Sequence, residues 1–442
     1  MSGALVRYVR SFTGFGRNAR LFLVTTIVFG AAVGLYWADF NLYLEKIGVD
    51  RGTIGLLMAV SQLAAVLVSF PCGAISNRLG RRTVMAGGMV LVALGLFVVL
   101  PGDRALLFVG VIGLGAGSQA VYVVQVPYIA EQTKPDERNE YFAIWSAIGN
   151  LTYLFATLLG GFVADDLANR LGLGGGPAPY RLLLTGTAIL ALLSVATTGL
   201  MSSDRPAATD HSAEGVGGRL GIVIHDKGLF FRLLLPGFIT ALGAGQLIPF
   251  LNLFVQHKFA LDLPAVNAIL AVTSLGTTIA ILVQPALARR FGRIGSIVLV
   301  QGASIPFLVV LGFSPMLWTV IVAMAVRNSL MNAGSPIFDA FAMERVSAAE
   351  RATLSAGMTL LWSLGWTVAP LYYGILQDRL GFTAGYTVNF VTIIVLYTLA
   401  TSLLWHWFRA ADHLPARELT PEAVVEVERA LAEGATAVPD RA

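Results

Sequence analysis

The chain has 442 residues, is 56% hydrophobic and only 13% charged, with a net charge of +4. A soluble protein of this length needs far more charged surface, so the composition excludes that class. A single cysteine, Cys72, excludes a disulfide framework, and no spacing of His, Cys, Asp or Glu suggests a metal site or a bound cofactor.

The first 20 residues carry Arg7, Arg10, Arg17 and Arg20 without an apolar region and small-residue cleavage site. They read as an interfacial basic segment rather than a removable signal. Apolar runs of about 20 residues, enough to cross a bilayer core of about 30 Å, then follow one another. They predict helices at roughly 20–45, 53–76, 83–100, 105–130, 139–165 and 181–201. A polar stretch rich in Gly, Ser and Asp follows and reads as a linker. Six further helices are predicted at roughly 229–256, 264–288, 294–313, 316–343, 352–377 and 386–408. In the tail, Thr420 before Pro421 and Glu422 is a helix-start signal, so a short acidic helix in water is expected.

The expected organisation is a cytoplasmic N-terminal segment (1–19), a six-helix bundle (20–201), a cytoplasmic linker (202–228), a second six-helix bundle (229–408) and a cytoplasmic tail (409–442). The termini, linker and loops on their side hold 22 lysines and arginines against 7 on the other side, with Arg327 left inside a span. That bias places both ends in the cytoplasm.

The halves repeat. Asn41 corresponds to Asn252 at an offset of 211, Gly80 and Arg81 to Gly292 and Arg293 at 212, and EQTKPDER (131–138) to ERVSAAER (344–351) at 213. Gly161 and Asp165 correspond in the same way to Gly374 and Asp378. Parallel repeats of this kind are typical of carriers in which one half rocks against the other around a site near the bilayer midplane.

Between the second and third spans lies GAISNRLGRR (73–82). With the span count and the duplication, it resembles the helix 2–3 signature of the major facilitator superfamily through Gly73, Arg78, Gly80, Arg81 and Arg82. The resemblance covers residues 20–408. It implies an all-α membrane protein of twelve transmembrane helices in two six-helix bundles related by pseudo-two-fold symmetry. It also implies that the signature latches the cytoplasmic side when the carrier faces outward. Glu131 is then the expected acid for the arginines, and Glu344 its counterpart for the degenerate second copy, PALARRFGR (285–293). The family's aspartate is Asn77 here, which removes a charge and predicts a weaker outward-open latch, by about 1 kcal/mol.

Ionisable groups at membrane depth cost about 2.5–3.5 kcal/mol each and mark cavities or partners. Asp39, Arg327 and Asp339 are such groups. In the tenth span Asn328, Asn332, Ser335 and Asp339 fall on one helical stripe beside Arg327. At an offset of 213, Asn332 and Ser335 correspond to Gln119 and Tyr122 in the fourth span. The resemblance implies that spans 1, 4, 7 and 10 line the central cavity, which adds Gln125, Gln246 and Asn252. Small polar groups in such spans also bond helix to helix without touching solute, an equal reading for Ser335, Asn41 and Asn252. Trp362 and Trp366, four apart in the eleventh span, could wall an aromatic pocket or pack against lipid. Arg327 could also form a fixed ion pair with Asp39 or Asp339.

All five histidines fall in loops or near span ends, so Asp39 and Asp339 are the candidate proton carriers. The expected function is a secondary transporter of a small organic solute, working by alternating access, with protons as a candidate coupling ion. An arginine and amides suit an anion or zwitterion, and tryptophans suit an amphipathic solute. A facilitative uniporter, a drug exporter of the same fold and a non-transporting sensor or scaffold are the alternatives. No enzymatic constellation is present. A monomer in the lipid bilayer of the cell membrane is expected, with no nucleic-acid partner.

Overall fold

The computed structural model describes residues 15–134, 137–173, 176–202, 224–274, 291–333, 335–347 and 350–409; the side chains of residues 139, 332, 333, 335, 336 and 352 lie outside this description. The basic N-terminal stretch up to residue 14, most of the linker, residues 285–290 of PALARRFGR and the tail helix also fall outside the described residues.

Every regular element among the described residues is helical. The first six spans are α1 (Arg17–Lys46), α2 (Arg51–Leu79), α3 (Arg81–Val99), α4 (Arg104–Gln132), α5 (Arg138–Arg170) and α6 (Ala178–Gly199). The seventh is α7 (Lys227–Leu247), continued through a 3-10 turn (Ile248–Phe250) into α8 (Leu251–Phe259). The eighth begins as α9 (Leu263–Ser274) and the ninth is α10 (Arg293–Phe313). The tenth comprises α11 (Leu317–Ala333) and α12 (Ser335–Glu344). The last two lie in α13 (Arg351–Phe408). Its 58 residues would extend about 87 Å as one helix, nearly three bilayer cores. At Gly381 the backbone leaves the helical region (φ 71°), which ends one span and starts the next. The chain is thus an all-α membrane protein of twelve spans built from two six-helix repeats.

The described residues form two compact units. The first takes in the chain up to 213 together with 249–272 and 370–378; the second takes in 214–248, 273–369 and the chain from 379.

In the first unit, α3 and α4 meet along a seam of small residues. A Cβ on Gly88 would lie 2.6 Å from Gly117 O, and one on Gly95 would lie 2.7 Å from Gly110 O. Such backbone approach supplies the dispersion contact that lipid cannot supply as a hydrophobic drive. Aspartates start the neighbouring helices. Asp50 Oδ1 accepts from Thr53 N at 2.8 Å, Asp103 Oδ1 accepts from Ala105 N and Leu106 N, and Asp262 Oδ1 accepts from Ala265 N at 3.1 Å.

The second unit packs around Phe230, Leu233, Ile294, Ile297, Phe341, Leu354, Leu404 and Phe408. Phe341 and Phe408 meet edge to face at 5.4 Å.

The repeat recurs in hydrogen bonds. Lys134 N donates to Glu137 Oε1 at 3.0 Å, and its counterpart Ser347 N donates to Glu350 Oε2 at 3.1 Å. Arg138 reaches Ala130 O at 2.8 Å, and Arg351 reaches Met343 O at 3.0 Å. One pair diverges for a covalent reason. Gly52 N, at the start of α2, donates to Asp378 Oδ1 at 2.8 Å. The counterpart of Gly52 is Pro264, which has no N–H to offer Asp165. Asp165 accepts instead from Asn169 Nδ2 at 3.2 Å.

Glu350 anchors the end of the linker outside the spans. Its carboxylate accepts from His225 N at 2.7 Å, Ser347 Oγ at 2.7 Å and Ser347 N. The His225 amide bond, followed by the Ser347 hydroxyl, lowers its pKa to about 2. The unfolded value is about 4.3. The stabilisation is therefore complete above about pH 4 and is lost as pH falls toward about 2. Acid titration of the melting temperature should show a smaller drop in Glu350→Gln than in the parent, with a lower plateau at neutral pH.

Candidate solute-binding site

Within the second unit a cavity of about 490 Å³ opens among α7, α10, α11, α12 and α13. Its size suits a small organic molecule. α11 delivers Arg327 and Asn328 to it, α12 delivers Asp339, and α13 delivers Thr359, Trp362, Trp366 and Tyr397. Gln301 of α10 and Thr240 of α7 complete the polar lining.

Arg327 is the largest fully buried side chain among the described residues, at 1% exposure. Its Nη2 donates to Tyr397 Oη at 3.0 Å and its Nη1 to Asn328 Oδ1 at 3.2 Å. The guanidinium also sits 5.5 Å from the Tyr397 ring centre, a cation–π distance. Gly243 permits this placement, because a Cβ there would lie 2.5 Å from the Tyr397 ring. Nε has no hydrogen-bond partner, and no carboxylate among the described residues pairs with this cation. Asp339 lines the same cavity without bonding to Arg327. Trp362 and Trp366 lie with ring centres 6.4 Å apart, tilted by 34°. The lining thus combines a buried cation, a phenol and an amide with two tryptophans.

The first unit holds its own cavity, of about 340 Å³, lined by Tyr122 and Gln125 of α4, Thr25 and Thr26 of α1, and Trp145, Asn150 and Tyr153 of α5.

Five residues proposed from the sequence as cavity groups lie elsewhere or are not described. Gln119 lies outside both cavities. Gln246 is buried, donating to Leu242 O at 3.0 Å and accepting from Asn389 Nδ2 at 3.4 Å. Asn252 is buried and donates to Ala38 O at 2.7 Å. Asp39 is fully buried and lines neither cavity. The side chain of Asn332, like that of Ser335, lies outside the described residues. Gln301 and Tyr397 line the cavity without having been singled out from the sequence. An amide within the apolar run of α10 was the available signal for Gln301. A tyrosine gives less signal, being half apolar.

At the GAISNRLGRR turn, Gly80 has φ 87° and so ends α2 where a side chain would strain the backbone. Arg81 Nε donates to Glu131 Oε1 at 2.7 Å, and its counterpart Arg293 pairs with Glu344. Arg82 donates to Thr198 O at 3.1 Å and Gly199 O at 2.6 Å, carbonyls left open at the end of α6. Gly73 has open space where a Cβ would stand, and Asn77 and Arg78 are exposed.

The Major Facilitator Superfamily model matches residues 22–370 and 233–433. An uncharacterized MFS-type transporter of Escherichia coli, YcaD, is 30% identical over 144 residues, which cover 33% of this chain and 36% of that relative. The chain thus spans about a third of the length of the curated relatives it matches. Among solved structures, the nucleoside transporter NupG superposes with a TM-score of 0.69 at 15% identity, covering 90% of this chain and 100% of that one. A bacterial homolog of the human lysosomal transporter Spinster, inward-facing and occupied, gives 0.66 at 14% identity and covers 90% and 98%. A D-xylose-proton symporter gives 0.65 at 13% identity and covers 87% and 97%. The structural likenesses show the fold, and the family model spans nearly all of the described chain. With twelve helical spans in two repeats and paired basic turns at equivalent places, the chain belongs to the major facilitator superfamily.

Proposed function

We propose that the chain is a secondary transporter of a small organic anion or zwitterion with an apolar or aromatic body, working by alternating access. One observation carries the reading: Arg327 is a buried cation with no carboxylate partner among the described residues, and it lines a cavity of ligand size. A guanidinium held by neutral groups in a low-dielectric site lacks a counter-charge, and a solute carboxylate or phosphate would supply one in bidentate geometry. Trp362 and Trp366 would take the apolar body. The lysine and arginine bias supports a cytoplasmic location for both termini in the cell membrane.

The test is a thermal-shift panel of aromatic and aliphatic carboxylates against their amides, followed by flux of the hits into vesicles with and without a pH gradient. Carboxylates that stabilise and are transported, where their amides do neither, would support the reading. Equal response to both would remove Arg327 from recognition.

The basic turns would form the cytoplasmic gate. Asn77→Asp should favour the outward-open form, seen as a shorter spin-label distance across the cytoplasmic mouth; an unchanged distance would count against a gating role.

A further inference from the structure

The second unit holds another hollow besides the Arg327 cavity. It is a groove of about 520 Å³ lined by α10, by Phe291 just before it, and by the last span in α13. Phe291, Leu299 and Trp405 line it and are exposed, at 48%, 45% and 45%. Thr401 lines it and is buried. An exposed apolar surface on a membrane span meets acyl chains, which are as apolar as leucine.

Groove and cavity share two helices and alternate along them. On α10, Val298 lines the groove and Gln301, three residues on, lines the cavity. On α13, Tyr397 and Leu404 line the cavity, whereas Thr401 and Trp405 line the groove. The two linings meet at one hydrogen bond, in which Thr401 Oγ1 donates to Gln301 Oε1 at 3.4 Å. At that length the bond is weak. The helical backbone of α13 continues to Arg409 (φ −56°, ψ −42°), which is exposed. Arg409 follows Trp405 by four residues and therefore shares its helical face. A tryptophan and an arginine at a span end are the pair that sits at headgroup level.

We propose that the groove is a side entrance from the bilayer to the Arg327 cavity, taken by a single-chain anionic amphiphile such as a long-chain carboxylate. The head rests at Arg409 while the chain lies in the groove. Parting of Thr401 from Gln301 then lets the molecule pass between α10 and α13 until its head reaches Arg327. This deepens the transporter reading and rests on it, since it names the substrate class and the route. A cation with no carboxylate partner among the described residues calls for an anionic head, and the cavity tryptophans suit an apolar chain. A cavity of about 490 Å³ suits one small molecule rather than a two-chain phospholipid.

The probe is palmitate carrying a mid-chain diazirine, added to the full chain in lipid nanodiscs, with the cross-linked residues mapped by mass spectrometry. In the parent, light should attach it in the groove, at Leu299 or Trp405, and in the cavity, at Trp362 or Trp366. Excess unlabelled palmitate should abolish both sets. Ser402→Trp fills the groove from an exposed position and should lose both. Should that variant not fold, Leu299→Trp on α10 should do the same. Arg327→Met should keep the groove labels and lose the cavity labels, because the head then has its first station and not its last. Cavity labels that survive a filled groove would overturn the proposal, as would a parent labelled in the groove alone or in neither place. Groove labels that palmitate does not displace would also overturn it and would mark ordinary acyl chains. Stabilisation of the parent by short aromatic carboxylates would, in any of these events, leave the Arg327 reading standing.

Discussion

Replacing Arg327 with methionine is expected to abolish solute transport while leaving the melting temperature of the purified protein unchanged or higher. Removing a buried charge that has no carboxylate partner among the described residues releases its desolvation cost, and an apolar chain of similar volume is often neutral or stabilising in such a place. What is lost is the charge-assisted bond to the solute, about 1.5–3 kcal/mol, or roughly 10-fold to 150-fold in affinity. Methionine also leaves Tyr397 Oη and Asn328 Oδ1 without the donor that positions them. Arg327→Ala should lose transport as well, with expression near normal. Arg327→Lys should retain part of the activity, because an ammonium keeps the charge and loses the planar fork. Vesicle flux and thermal unfolding on the same preparations check this. Full activity in Arg327→Met would remove the residue from the site, and a large loss of stability would identify it as a structural strut.

Gly115→Val is expected to have the largest effect on stability among the contacts described. A Cβ on Gly115 of α4 would overlap Ser61 O of α2 and lie 2.7 Å from the Ser61 carbonyl carbon and 2.9 Å from its Oγ. The obstacle is backbone, so no rotamer relieves it, and α2 and α4 must separate along their seam. Overpacking of this kind costs about 1–3 kcal/mol or more, to which the β-branch adds crowding in its own helix. Gly87→Ala is the matched control. It lies in α3 with nothing within 4 Å of its would-be Cβ, and alanine there should gain up to about 1 kcal/mol of helix propensity. Thermal unfolding in detergent should therefore move in opposite directions for the two variants.

The amino-acid sequence by itself determined the spans, the duplication and the cost of placing Arg327 at membrane depth. Each follows from local chemistry: the length an apolar run needs, the recurrence of residue types at a drifting offset, and the price of charge in hydrocarbon. Helical periodicity also aligned Asn328 with Asp339, and both reach one cavity. Which way each stripe faces was not legible, because a spacing of 100° per residue sets azimuths within a helix and not toward its neighbours. Only the tertiary structure drew Gln301 and Tyr397 into the site and bound Gln246 and Asn252 to other groups. It alone enclosed Asp39, since that burial depends on carbonyls and amides brought together from residues more than 200 positions apart.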